Sequence, residues 1–158
     1  MILYHGSNTL FDQIDLTKSL PNKDFGKGFY LSDNYEQAEE MAKFKVVISG
    51  GNVIVHSYHT DDSILNDASL KIKIFKEYTK EWAEFILTNR NNQSNEPAHD
   101  YDIVYGPIAN DKVGMQIRKY KDGTINFQEF LHRLQYMKGI TFQYFFGTEK
   151  AINKLRKL

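Results

Sequence analysis

Apolar residues recur along the chain with two periods, and the change from one to the other marks out short elements. Ile2 to His5 is a brief apolar run followed by the turn-forming Gly6-Ser7-Asn8, which predicts a strand ending at a loop. From Asn34 to Lys45 the apolar positions Tyr35, Ala38, Met41 and Ala42 fall on one face of a helix, with Ser32 or Asn34 able to cap its start. Val53 to Tyr58 is β-branched and alternating, and predicts a second strand. Tyr78, Trp82, Phe85 and Ile86 share a stripe of a helix over 78–87. Tyr101 to Tyr105 is a compact apolar strand with Gly106-Pro107 as its stop, and Phe127, Phe130, Leu131, Leu134 and Met137 recur at helical spacing. Thr141 to Phe146 is an aromatic strand, after which Thr148 caps a short basic helix running to the C-terminus. Between these elements, Asn89 to His99 is polar, contains Pro97 and predicts a surface loop. Strands and helices follow one another without regular alternation, so the expected class is α+β in one domain over 1–158.

Composition narrows the function classes. The 20 basic and 20 acidic side chains cancel, so bulk charge draws no polyanion to the protein, although a local basic patch stays open. Cysteine is absent, which removes disulfides and thiolate metal sites. His56 and His59 are three apart on a strand and therefore on opposite faces, so no shared metal is expected from them. Neither a basic leader nor a long apolar run is visible, so the expected compartment is the cytoplasm, with no membrane partner. Aromatic residues make up 14%, which suits either an aromatic core or a cleft with flat walls for a planar ligand.

Three segments set a polar or aromatic side chain beside a strand and a glycine: Leu3-Tyr4-His5-Gly6-Ser7, Asp24-Phe25-Gly26-Lys27-Gly28-Phe29-Tyr30-Leu31-Ser32, and Thr141-Phe142-Gln143-Tyr144-Phe145. His5, at the end of its strand, can project into a cleft while Gly6, without a Cβ, leaves room for a ligand; it can equally satisfy a carbonyl at a sheet edge. Gly26 and Gly28 allow a tight turn before Phe29-Tyr30-Leu31 starts a strand. They form neither a dinucleotide fingerprint, for want of its third glycine, nor a P-loop.

In this order, His-Gly-Ser followed by Gly-Lys-Gly-Phe-Tyr-Leu-Ser-Asp resembles paired segments of the poly(ADP-ribose) polymerase and diphtheria-toxin side of the ADP-ribosyltransferases. Gln143 opens an aromatic strand where those enzymes carry a Glu, which gives a His-Tyr-Gln version of their His-Tyr-Glu triad. The whole chain, including Asn89-Arg90 and the run from Tyr101 to Asp111, is also similar to a bacterial family in that superfamily regarded as toxins of toxin–antitoxin pairs. The resemblance implies a mixed, split β-sheet core with flanking helices, NAD as co-substrate, no metal, and transfer of ADP-ribose to a protein or nucleic acid, with a cognate antitoxin as partner. It assigns His5 to the adenosine ribose, the Gly6 backbone and Ser7 hydroxyl to the nicotinamide carboxamide, and Tyr30 to stacking on the nicotinamide ring, with Gly28 lining its approach.

Gln143 is the main departure, because an amide can accept a ribose hydroxyl but cannot counter the positive charge of an oxocarbenium-like transition state. Asp111, in the loop after a strand, is the candidate for that charge and equally a candidate helix N-cap. Arg90 is a candidate for the NAD diphosphate or a plain helix end. Ala38 and Met41 stand where polymerases of this family often carry a hydroxyl and a second stacking Tyr. His99 and His132 read as surface residues. The basic residues Lys150, Lys154, Arg156 and Lys157 read as a helix end or a nucleic-acid contact. Lys138-Gly139-Ile140-Thr141, ahead of Gln143, lacks the acidic or amide residue two positions upstream that accompanies Arg- or Asn-modifying members, so the acceptor stays open.

Overall fold

A computed structural model describes residues 1–135 and 140–158. The strands are β1 (Ile2–Ser7), β2 (Phe29–Leu31), β3 (Ile54–His59), β4 (Ile72–Ile74), β5 (Ile103–Pro107), β6 (Phe142–Phe146) and β7 (Arg156–Lys157). The α-helices are α1 (Tyr35–Ser49), α2 (Lys80–Arg90), α3 (Val113–Lys121), α4 (Phe127–Leu134) and α5 (Glu149–Ile152). The fold is α+β, with the strands divided between two sheets in the orders β1-β3-β7 and β2-β6-β5-β4. The sheets meet where Tyr4 and Ser32 exchange backbone hydrogen bonds of 2.7 and 2.9 Å. That join sets His5 of one sheet beside Tyr30 of the other.

Each sheet junction is filled by its own cluster. Leu3, Phe29, Leu31, Tyr58, Ile103, Tyr144 and Phe146 pack on one side of the strands. On the other side Val104 and Phe145 meet Phe25, Trp82, Ile86, Val113, Ile117, Phe130 and Leu134, which brings α2, α3 and α4 onto the four-stranded sheet. Trp82 is fully buried, and its indole N–H donates to Pro107 O at 3.0 Å, so the ring contributes packing without stranding its polar atom. No helix among the described residues is long and apolar enough to cross a membrane.

Several elements depart from the sequence expectation. Asn34 does cap α1, accepting from Gln37 N, but the helix runs one turn beyond Lys45 through Val46-Val47-Ile48 before Gly50, at φ 74°, ends it. Only Ala38 and Ala42 of α1 are buried, and Phe44, Val47 and Ile48 face outward. β5 continues through Gly106 and Pro107 because it pairs there with Gln143 and Phe142. β4 and α3 have little periodicity of their own: β4 forms by parallel pairing with β5, and α3 by packing on α4. The helix around Phe130 ends at Leu134, and Met137 lies outside the described residues.

The basic C-terminal segment is not one helix. After the single turn of α5, capped by Thr148, Arg156 and Lys157 add a strand to the β3 edge. Lys154 pairs with Asp67 at 2.8 Å and Lys157 lies 3.5 Å from Asp12, so these cations fasten the chain end to its own body.

Candidate functional site

His5 lies on β1 opposite His56, its ring stacked on Phe29 at 4.2 Å. Its Nδ1 is 2.7 Å from Tyr30 O. A carbonyl only accepts, so Nδ1 carries the proton. Burial, reinforced by the Lys45 ammonium, lowers the imidazole pKa from 6.5 to about 3. At neutral pH the ring is therefore uncharged, and Nε2 presents a lone pair with no protein partner among the described residues. The carbonyl-satisfying role foreseen for His5 is the one its Nδ1 plays, while Nε2 has no hydrogen-bond partner among the described residues.

Tyr30 is held at both ends. Its hydroxyl donates to Gly26 O at 2.8 Å and accepts from Phe25 N at 2.9 Å, which closes the 24–28 turn onto the ring. Burial raises its pKa well above 10, so it serves as a neutral phenol. The ring meets Phe145 edge-on at 5.4 Å, and the Lys23 ammonium lies 5.4 Å from its centroid. Lys23 thus occupies a cation-π position of the kind a pyridinium ring could take.

Gln143 comes to the same sheet face through register. Tyr30 pairs with Phe145, and Gln143 precedes Phe145 by two residues. Its Nε2 is buried and finds no hydrogen-bond partner among the described residues. Such an orphan donor costs about 1–3 kcal/mol, so an acceptor supplied by a ligand would be rewarded there.

The glycines have structural duties. A Cβ on Gly6 would lie 2.8 Å from Ala42 N and closer still to Ala38 O, so the missing side chain lets α1 press against β1, and the expected room for a ligand on that side is taken by the helix. Ala38 is buried in this contact, while Met41 is exposed and does not line the site. A Cβ on Gly28 would lie 2.7 Å from Phe145 Cζ, so Gly28 admits an aromatic ring of the core, in place of the expected ligand approach. Ser7 is buried, and its hydroxyl accepts from Thr9 N at 3.1 Å in a local turn.

Arg90 and Asp111 are set apart from these three residues. Arg90 lies at 3.2 Å from Asp24 and donates to Asn22 O at 3.1 Å, bracing the loop that leads into the Phe25 turn. Asp111 is exposed in an open groove of about 480 Å³ whose lining includes Arg90 but none of His5, Tyr30 or Gln143. Nor does Asp111 cap α3: Asn110 Oδ1 accepts from Lys112 N instead. The carboxylate whose charge reaches Tyr30 is that of Asp24, its pKa raised by burial against the pull of Arg90 and Lys23.

Lys45, Lys23 and His99 were not singled out in the sequence. Lys45 donates to Gly6 O at 2.7 Å, and burial, followed by the neighbouring Lys23 charge, lowers its pKa to about 8. It follows Ala38 and Ala42 at i+7 and i+3, so its place on the inward stripe was readable. Burial lowers the Lys23 pKa as well, and neither lysine has a carboxylate within ion-pair distance among the described residues. His99 is no ordinary surface residue: Nδ1 accepts from Tyr101 N at 3.1 Å, so Nε2–H donates to Phe25 O at 2.7 Å. Among the described residues no cluster of three or more His, Cys, Asp or Glu could hold a metal ion.

A family model described as a protein of unknown function, DUF3990, matches residues 1–157. The chain belongs to the DUF3990 family. No curated protein and no solved structure matches it.

Proposed function

We propose that the protein is an ADP-ribosyltransferase that cleaves NAD and passes ADP-ribose to a macromolecular acceptor, acting as a growth-inhibiting toxin with a cognate antitoxin. The observation that carries this reading is the bond from His5 Nδ1 to Tyr30 O, which brings the two motifs of the resemblance into contact and leaves a neutral Nε2 to accept a ribose hydroxyl. The split sheet, joined at Tyr4 and Ser32, supports the transferase-like arrangement. Two half-buried ammonium groups, Lys45 and Lys23, neither within ion-pair distance of a carboxylate among the described residues, suit a dianionic diphosphate.

In this site the C–N bond between ribose and nicotinamide breaks, with its electron pair leaving on the nicotinamide nitrogen. An acceptor nucleophile then bonds to the ribose carbon and loses a proton. His5 orients a ribose and the Tyr30 ring walls the departing base. The Gln143 carbonyl oxygen accepts a ribose hydroxyl, while its amide, now unpartnered, takes a ligand oxygen. Fixed dipoles of this kind stabilise developing charge without solvent reorganisation.

NAD is expected to raise the thermal unfolding midpoint of the wild-type protein by about 5–11 °C at a hundredfold excess over Kd, where binding adds about 2.7 kcal/mol. In His5→Ala the shift should collapse, since the ribose acceptor is gone. An equal shift in both proteins would place NAD elsewhere. A second reading, an NAD- or ADP-ribose-binding module without transfer, is favoured by one feature: position 143 carries an uncharged amide, and the buried Asp24 is engaged by Arg90.

A further inference from the structure

The groove that contains Asp111 carries a charge at odds with the neutral chain. Arg90, Lys112, Arg118 and Lys121 line it against the single acid Asp111. Among the described residues Lys112, Arg118 and Lys121 make no ion pair, unlike cations such as Lys43 with Glu39, Lys71 with Asp100, Lys73 with Glu81 and Arg133 with Glu129. A neutral protein has here gathered an excess of three positive charges in an open depression of about 480 Å³. Lys112 immediately precedes α3 and Lys121 ends it, so the two are separated by about 13 Å at 1.5 Å per residue, with Arg118 between them.

We propose that this groove docks the sugar–phosphate backbone of a nucleic-acid strand, the acceptor of the transferase reading on which this inference rests. The guanidinium groups of Arg90 and Arg118 suit phosphate oxygens, and Asn22 and Asn91 add hydrogen-bonding groups for sugars or base edges. The groove is lined by none of His5, Tyr30 or Gln143, but its Asn22 and Arg90 belong to or brace the loop that leads to Tyr30. Asn22 adjoins Lys23, whose ammonium lies over the Tyr30 ring, and Arg90 bonds both Asn22 O and Asp24. The Asn22 end of the groove is thus the end from which a docked strand would approach Tyr30. No aromatic residue lines the groove, so binding comes from phosphates and is salt-dependent with little sequence preference.

The test is fluorescence anisotropy of the full chain with labelled single-stranded RNA and DNA of about 16 nucleotides. Four cations imply a log–log salt slope near −2.8, so affinity should fall about fifty-fold between about 50 and 200 mM salt. The triple variant Lys112→Glu, Arg118→Glu, Lys121→Glu should bind at least tenfold more weakly while its unfolding midpoint and its release of nicotinamide to water match wild type. Absence of nucleic-acid binding by the wild type, or equal competition by polyglutamate, would overturn the dock. Wild-type nicotinamide release in that case would leave the transferase reading standing, so the two failures are distinguishable.

Discussion

Gly6→Ala is expected to destabilise the protein by about 3 kcal/mol, at the upper end for a small-to-large change in a packed interior. The new Cβ would meet Ala38 O and Ala42 N, which are backbone atoms of α1 and cannot swing aside as a side chain can. Relief requires α1 to lift from β1, and that would withdraw Lys45 Nζ from Gly6 O and unsettle the strand carrying His5. Gly114→Ala is the matched control: on α3 a Cβ at that position meets nothing within 4 Å, so stability should hold or rise by up to about 1 kcal/mol. Urea unfolding midpoints of the two variants would decide it. Equal midpoints for Gly6→Ala and wild type would show that α1 does not press on β1 as described.

Gln143→Glu is expected to raise nicotinamide release by about two orders of magnitude, the counterpart of a few kcal/mol of transition-state stabilisation. The amide already stands on the sheet face shared by Tyr30 and Phe145, and its Nε2 is buried without a partner. A carboxylate of the same size would remove that orphan donor and add the charge that opposes an oxocarbenium-like ribose. Gln143→Ala separates charge from shape, and should lower the rate about tenfold through loss of the ribose hydroxyl's acceptor. Single-turnover release of nicotinamide reads both variants. A Gln143→Glu protein that folds normally and turns over no faster would show that this position does not face the reacting carbon.

Local patterns carried the strands and helices with strong periodicity, such as the Trp82–Ile86 stripe and the alternation from Ile54 to Tyr58, because burial on one face writes a period into the sequence. β4 and β7 are three and two residues long and are held by neighbours distant in the chain, so no local period announces them. The same division runs through the candidate site. His5, Tyr30 and Gln143 stood out because each adjoins a strand; register then sets Tyr30 and Gln143 on one sheet face, and the His5 ring meets the Tyr30 carbonyl across the join of the sheets. The roles of Gly6 and Gly28 were misjudged because a missing Cβ looks the same whether a ligand, a helix or an aromatic ring fills the space. Lys45 was readable on the inward stripe of α1, whereas the position of the Lys23 ammonium over the Tyr30 ring is a property of the fold. His99 was passed over for a related reason: the Phe25 carbonyl that it holds lies in a distant segment of the chain.

The most direct test of the central claim is nicotinamide release from NAD by the purified wild-type protein beside Tyr30→Ala, with a nucleic-acid or lysate acceptor present. Release with transfer of labelled ADP-ribose, reduced at least a hundredfold in the variant, is the predicted result, because the ring that walls the departing base is gone. No release by the wild type, together with no thermal shift on adding NAD, would contradict the claim and leave the His5–Tyr30 contact a structural joint between the two sheets.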